Sequence, residues 1–232
     1  MSYRFQFFVL CVLSFLLLGC DRYSTPVAPI IEQSRSDNPH PDLYRVGDSD
    51  TLYSIAWAYQ RDYRELALLN HLSPPYALRV GQWLRIKPAG HYHAGSTTTS
   101  PSVPLFESPR ASRRWQWPTQ GRVVARFSNK PFAEKGISLT GRLGQPVVAA
   151  LPGMVVYSGA GVRGYGNLII IKHNQNYLSA YAFNQRNWVK DDDNVAAGQE
   201  IAEMGRDNMG RVRLYFEIRY NGRPVNPLPY LR

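Results

Sequence analysis

The side chains best suited to metal-dependent catalysis are the five histidines, because neutral imidazole is a common zinc ligand. They are His40, His71, His91, His93 and His173. Only His91 and His93 lie close together in sequence, whereas a catalytic zinc needs about three protein ligands and an open position for water. The two cysteines, Cys11 and Cys20, cannot build a cysteine-rich metal site. The histidines therefore offer no complete catalytic centre.

The charge of the chain predicts an anionic partner. Its 232 residues include 27 Lys and Arg against 17 Asp and Glu, a net charge of +10. Nucleic acid, an acidic membrane surface and an anionic wall polymer all fit such an excess. Apolar residues make up 44% of the chain, which is enough for packed cores and excludes wholesale disorder.

The first twenty residues predict export and lipid attachment. Arg4 precedes an apolar run over residues 5–18, which is shorter than the roughly 20 residues of a membrane-spanning helix. Leu17-Leu18-Gly19-Cys20 resembles a bacterial lipobox, which implies acylation of the Cys20 thiol and anchoring in an envelope membrane. Asp21 favours inner-membrane retention in enteric lipoproteins, so the choice of membrane stays open. Export argues against nucleic acid as the partner.

Composition predicts a multidomain chain behind the signal peptide of residues 1–19. Residues 20–43 are rich in Pro, Ser and Asp without periodicity, which predicts a tether. Residues 44–87 form a first patterned block. Residues 88–114, rich in Ser, Thr, Pro and Gly, predict a flexible linker. Residues 115–232 form a second block that carries most of the positive charge.

The first block predicts the order strand, helix, helix, strand. Apolar residues recur at the spacing of one helix face after Asp50, which we expect to be the N-cap. A second helix is expected over residues 64–70. Alternation over residues 83–86 predicts the closing strand.

This block resembles the LysM domain, a family that binds glycans containing N-acetylglucosamine, such as peptidoglycan. The matching motifs are Asp50-Thr51-Leu52-x-x-Ile55-Ala56, Leu69-Asn70 and Val80-Gly81-Gln82-x-Leu84. Ser49 replaces the usual glycine, which puts the shape of the first loop in doubt. The resemblance implies a shallow groove between two loops, although structural roles explain each single residue equally well. The implied glycan contacts are Gly47, Asp48, Asp50, Thr51, Leu52, Asn70, Leu72 and Pro74.

The second block predicts an all-β domain. Residues 147–150 and 154–157 flank Pro152-Gly153, a pattern typical of a hairpin. Residues 167–172 predict a buried strand. Residues 212–220 alternate, so that one face is apolar and the other bears charged and tyrosine side chains.

The order of these pieces resembles the LytM/lysostaphin-type zinc peptidase domain, which cleaves peptidoglycan cross-links. The matching motifs include Gly164-Tyr165-Gly166-Asn167, Tyr181-Ala182 and Leu214-x-Phe216-Glu217-Ile218. The resemblance implies two antiparallel sheets with a groove. Active members carry His-x-x-x-Asp, a lone His and His-x-His. Here those positions hold Glu134, Ser138, Phe183, Arg213 and Tyr215.

These five replacements predict a domain without zinc, cofactor or catalysis. Ser138 and Tyr215 are poor zinc ligands at neutral pH, and the guanidinium of Arg213 repels a dication. A fold kept without its catalytic set suggests binding, so we expect the five residues to line a groove for a partner protein. The competing explanation is that Phe183 only fills the space that the metal leaves.

A lipobox, a LysM domain and a zinc-less LytM domain together resemble the NlpD-type activators of cell-division amidases. The resemblance implies binding to peptidoglycan and activation of a periplasmic N-acetylmuramoyl-L-alanine amidase, which supports septal wall splitting and cell separation. It also implies an outer-membrane location facing the periplasm. Two alternatives stay open: a divergent peptidoglycan endopeptidase, and a purely structural tether between membrane and wall.

Overall fold

A computed structural model describes residues 42–87, 115–131 and 133–232 of the protein. The signal peptide, Cys20 and Asp21, most of the tether and the linker lie outside the described residues, as do His40, His91 and His93. Within the described ranges, no helix is long and apolar enough to cross a membrane.

The N-terminal domain, residues 42–87, has the expected order of elements. Strand β1 (Leu43–Arg45) is followed by helices α1 (Leu52–Ala58) and α2 (Tyr63–Leu69) and by strand β2 (Trp83–Arg85). The two strands pair antiparallel, with Tyr44 opposite Leu84. The βααβ order is confirmed.

Thr51, and not Asp50, is the N-cap of α1. Thr51 Oγ1 accepts a hydrogen bond from the Ser54 amide at 3.1 Å, and Ser54 Oγ accepts one from the Thr51 amide at 3.0 Å. Asp50 lies one residue too early and closes the preceding loop, because its Oδ2 accepts from the Gly47 amide and from the Tyr44 hydroxyl, both at 2.7 Å. The expected Asp50 cap is therefore wrong.

The C-terminal domain, residues 115–131 and 133–232, is built on antiparallel strands. They are β3 (Val123–Ala125), β4 (Ile137–Thr140), β5 (Pro146–Val148), β6 (Gly153–Gly159), β7 (Asn167–Lys172), β8 (Tyr177–Asn187), β9 (Asn194–Val195), β10 (Glu200–Met204), β11 (Arg213–Tyr220) and β12 (Arg223–Val225). Their order is β3-β4-β11-β8-β7-β6-β9, with β12 beside β11 and β10 between β8 and β5. The all-β class is confirmed. The ten strands form one hydrogen-bonded network where two sheets were expected, because β10 pairs with both β8 and β5.

The expected hairpin around Pro152-Gly153 is wrong. Strand β5 pairs with β10, where Val147 lies opposite Ala202. Strand β6 pairs with β7 and β9. Strands β5 and β6 therefore do not pair with each other: β5 pairs with a strand about 50 residues further along the chain, and β6 pairs with the next strand, β7.

Strand β11 is buried on both faces along its whole length except Tyr220. Its apolar face, with Leu214 and Phe216, belongs to the core of the C-terminal domain. Its other face contributes Tyr215 to a second apolar cluster that also contains Trp57 and residues of both helices. The N-terminal domain therefore packs on the sheet face that sequence alternation alone would expose to water.

Candidate functional site: a buried ion cluster beside the domain interface

Neighbouring strands bring together the five residues that the LytM resemblance aligns with the catalytic positions of active peptidases. Ser138 on β4 lies opposite Tyr215 on β11, so the two side chains share one face of the sheet. Arg213, two residues before Tyr215, lies on that face as well. Phe183 comes from β8, next to β11, and Glu134 from the segment before β4.

Three of these residues form a closed set of polar contacts. Arg213 Nη1 donates to Glu134 Oε1 at 2.9 Å and to Ser138 Oγ at 3.1 Å. Ser138 Oγ donates to Glu134 Oε2 at 2.9 Å. The side chains of Arg213 and Glu134 are only 9% and 12% exposed. A guanidinium thus occupies the centre of the group, and one carboxylate balances it.

A fourth member, Asp207, was not foreseen from the sequence. Its Oδ2 lies 2.7 Å from Arg213 Nε. Its Oδ1 accepts hydrogen bonds from the amides of Met209 and Arg211, both at 2.9 Å. Although burial opposes ionisation, these contacts with Arg211, Met209 and Arg213 hold the pKa of Asp207 below its usual value. The sequence of residues 207–210 is typical of a turn that begins with an aspartate. No local pattern predicts that this aspartate contacts Arg213.

Aromatic rings pack beside the ion cluster. The Phe183 ring lies 5.5 Å from the Arg213 guanidinium and makes an edge contact with Tyr215, with the ring centroids 6.4 Å apart. Tyr165 contacts the other side of Tyr215 at 5.8 Å. Burial and the adjacent Glu217 carboxylate raise the pKa of Tyr215 well above its usual value.

Further along β11, Tyr215, Glu217 and Arg219 form a chain of hydrogen bonds. The Tyr215 hydroxyl donates to Glu217 Oε2 at 2.6 Å, and Arg219 Nε donates to Glu217 Oε1, also at 2.6 Å. Both charged side chains are buried. Sequence alternation put them on the same face as Arg213, but it could not show that they would be buried there.

The donor set does not fit zinc. The one carboxylate among the five residues, Glu134, is neutralised by Arg213 at 2.9 Å. Ser138 and Tyr215 are hydroxyls, and Tyr215 is already hydrogen-bonded to Glu217. Within the described residues, no three or more His, Cys, Asp or Glu side chains lie together as a metal site would require. We therefore derive no chemistry through a metal at this position.

The five residues are brought together, and four of them are buried, whereas Glu134 is partly exposed. Ser138 and Tyr215 are 0% and 1% exposed, and Phe183 is 4% exposed. A partner protein cannot touch the four buried side chains without a movement of the residues that cover them.

The expected glycan contacts divide into exposed and structural residues. Gly47, Asp48 and Pro74 are exposed, whereas Leu72 is half-buried against the core. Leu52 is 1% exposed and belongs to the core.

Asn70 has a clear structural role. Its Oδ1 accepts from the Arg85 amide at 2.6 Å, and its Nδ2 donates to the carbonyls of Leu66 and Arg85, both at 2.8 Å. It therefore ties the end of α2 to β2, and its side chain is already satisfied.

Comparison with known proteins agrees with this architecture. Residues 44–87 match the LysM domain family, and residues 133–227 match peptidase family M23. The chain is 41% identical to the lipoprotein NlpD/LppB homolog of Pseudomonas aeruginosa, over 81% of the chain and 76% of that relative. The chain belongs to the NlpD/LppB lipoprotein family. The resemblances inferred from the motifs are thereby confirmed.

The family includes proteins named for a regulatory role. The murein hydrolase activator NlpD of Escherichia coli is 36% identical over 81% of the chain and 67% of its own length. Among solved structures, Helicobacter pylori Csd3 is 28% identical over 51% of the chain and 35% of its own length, with a TM-score of 0.46.

Proposed function

We propose that the protein binds peptidoglycan through its N-terminal domain and activates a periplasmic N-acetylmuramoyl-L-alanine amidase through its C-terminal domain. In this proposal the C-terminal domain has no hydrolase activity of its own. The activation supports septal wall splitting and cell separation. Cys20 carries the lipid, and the anchor holds the protein in the outer membrane facing the periplasm.

The observation that carries the proposal is the pairing of Arg213 with Glu134 at 2.9 Å. A zinc peptidase uses its metal to polarise the scissile carbonyl and to generate hydroxide. A guanidinium paired with Glu134 and Asp207 supplies no open ligand position and no base for water. A domain that keeps the peptidase fold around such a cluster is suited to contact and not to hydrolysis.

Activation requires that the protein bind the active conformation of the amidase better than its inactive conformation. The exposed rim of the cluster offers a contact for this. Met209 lies on the loop that holds Asp207 and is 51% exposed. An exposed apolar side chain beside a rigid, charged cluster is suited to anchor a partner.

The experiment uses residues 21–232, which retain every described element, with dye-labelled sacculi and each purified amidase of the host. We expect the protein to accelerate dye release by at least one amidase and to release nothing alone. Met209→Asp should reduce the acceleration about tenfold or more, as loss of a central contact does. Leu143→Asp, a matched change at a residue that is 49% exposed on the turn before β5, should leave it intact.

Three results would overturn parts of the proposal. If no amidase is accelerated while the protein still sediments with sacculi, the protein is a structural tether. If the protein alone releases muropeptides and carries stoichiometric zinc, it is an endopeptidase. If Met209→Asp and Leu143→Asp behave alike, the contact lies elsewhere than on the rim of the cluster.

A further inference from the structure

The interface between the two domains is built from specific polar contacts as well as apolar packing. The Arg219 guanidinium lies 3.6 Å from the centroid of the Trp57 ring, and Arg219 Nη1 donates to the Trp57 carbonyl at 3.2 Å. The same guanidinium is paired with Glu217. A buried cation on the C-terminal domain thus has one partner on its own strand, Glu217, and gains further contacts from α1 of the N-terminal domain.

A cluster of three tyrosines on the N-terminal domain receives a second cation. The rings of Tyr53, Tyr63 and Tyr76 contact one another, with centroids 4.5 to 6.2 Å apart. Lys172 Nζ, from β7, lies 5.8 Å and 5.4 Å from the centroids of Tyr53 and Tyr63. The two cation–π contacts favour one docked position of the N-terminal domain on the sheet.

The first loop of the N-terminal domain is itself part of this interface. Thr51 Oγ1 donates to the Val156 carbonyl on β6 at 3.0 Å while it also caps α1. Ser49 Oγ lies 3.1 Å from the position that a Cβ at Gly161 would occupy. This loop is also the one in which the LysM resemblance puts five of the eight implied glycan contacts, including Thr51.

We propose that the N-terminal domain is a reversible lid on the C-terminal domain, and that glycan binding at its first loop and docking on the sheet exclude each other. The inference rests on the proposed peptidoglycan binding and adds its regulation. A sugar that accepts a hydrogen bond from Thr51 must displace the Val156 carbonyl, because the Thr51 hydroxyl has one proton and donates it to Val156 when docked.

Undocking of the N-terminal domain affects the ion cluster through β11, the strand that carries Arg213. Arg219 loses the Trp57 contacts, and Glu217 and Tyr215 lose the apolar cover that the N-terminal domain provides. The N-terminal domain therefore covers the Tyr215 face of the sheet when no glycan is bound, and this face becomes accessible when the N-terminal domain binds glycan chains of the wall. A soluble amidase would then meet an open activator only at the wall.

A disulfide across the interface tests the lid. In residues 21–232 the native cysteines are absent, and Ser49→Cys with Gly161→Cys brings two thiols within the reach of a disulfide bond. The oxidised protein is locked closed, and the reduced form of the same sample is free to open. Sedimentation with purified sacculi measures glycan binding without any amidase. We expect oxidation to weaken binding at least fivefold and dithiothreitol to restore it.

Matched controls separate docking from damage to the loop. Each single cysteine variant should bind sacculi equally well with and without oxidant. Lys172→Ala, which removes only a cation from the tyrosine cluster, should open the lid and bind sacculi about threefold more tightly than the parent.

Two outcomes would overturn the lid. Equal binding of the oxidised and reduced double variants would show that docking and glycan binding are compatible. If neither form of the double variant nor the parent binds sacculi, the N-terminal domain has no glycan site, and the proposed lid is wrong as well. Amidase activation by the parent, measured separately, shows whether the proposed function survives either result.

Discussion

Arg219 and Trp57 stack with the guanidinium carbon 3.6 Å from the ring centroid, which joins a strand of the C-terminal domain to a helix of the N-terminal domain. The two residues are 162 positions apart in the chain. Both are 2% exposed, so the stacking is shielded from water. The pair is therefore a buried contact that couples the two domains across their interface.

Replacement of Arg219 by Met should be strongly destabilising. It leaves Glu217, which is 0% exposed, without its cation. Breaking a buried ion pair from one side costs about 3 to 5 kcal/mol, because the remaining charge stays buried and unpaired. Urea unfolding followed by tryptophan fluorescence measures the loss.

The double variant Arg219→Met with Glu217→Gln is the control. It removes both charges, so at least half of the lost stability should return. If the free energy of unfolding of Arg219→Met lies within about 1 kcal/mol of that of the parent, the result would contradict the burial of the pair.

Restoring the ligands of active peptidases should create a zinc site. Ser138 and Tyr215 are directly opposite on adjacent strands, which places substituted side chains within reach of one ion. We expect Glu134→His, Ser138→Asp, Arg213→His and Tyr215→His together to bind about one zinc per chain. Metal analysis after dialysis measures it.

The matched control keeps Arg213 and makes the other three changes. Its guanidinium should exclude the dication, so the zinc content should stay near that of the parent. Equal zinc in both variants would show that Arg213 does not occupy the metal position.

Asn70→Ala should lower stability more than it affects glycan binding. The change removes three hydrogen bonds, which join Asn70 to Leu66 and Arg85. At roughly 1 kcal/mol each, with a further cost for unpaired groups, the free energy of unfolding should fall by about 2 to 4 kcal/mol. Urea unfolding measures this fall, and sacculus binding per folded molecule should stay unchanged. Lost binding with unchanged stability would assign Asn70 to the glycan.

Acid should weaken the protein through His173. Burial lowers the pKa of His173 from 6.5 to about 4, and the Pro152 carbonyl at 2.9 Å only partly offsets this effect. His173 therefore becomes protonated below pH 6.5 in the unfolded chain but only near pH 4 in the folded protein. The stabilising contribution is complete above pH 6.5 and is lost as the pH falls towards 4.

Urea unfolding at pH 7 and pH 4.5 compares the parent with His173→Leu. The parent should lose about 2 to 3 kcal/mol more than the variant over this interval, since one pKa unit corresponds to about 1.4 kcal/mol. Equal losses would show that groups other than His173 account for the acid sensitivity over this interval.

Local patterns predicted the elements well where each element depends on its own residues. The spacing of Leu52, Ile55 and Ala56 predicted α1, and the alternation around Leu214 and Phe216 predicted β11. The cap of α1 was misplaced by one residue, because Asp50 and Thr51 are both good caps and only the loop geometry chooses between them.

The two domain families, the residue types at the positions aligned with the catalytic set and the side chains that share a face of β11 all follow from the amino-acid sequence. Motifs indicate the families and the aligned positions, and periodicity indicates the shared face, because side-chain direction repeats every two residues in a strand. Tertiary structure alone decided that β5 pairs with β10, that Asp207 completes the cation site of Arg213 and that α1 covers Arg219. A strand's pattern shows which face is apolar or charged, but what covers that face depends on residues distant in the chain.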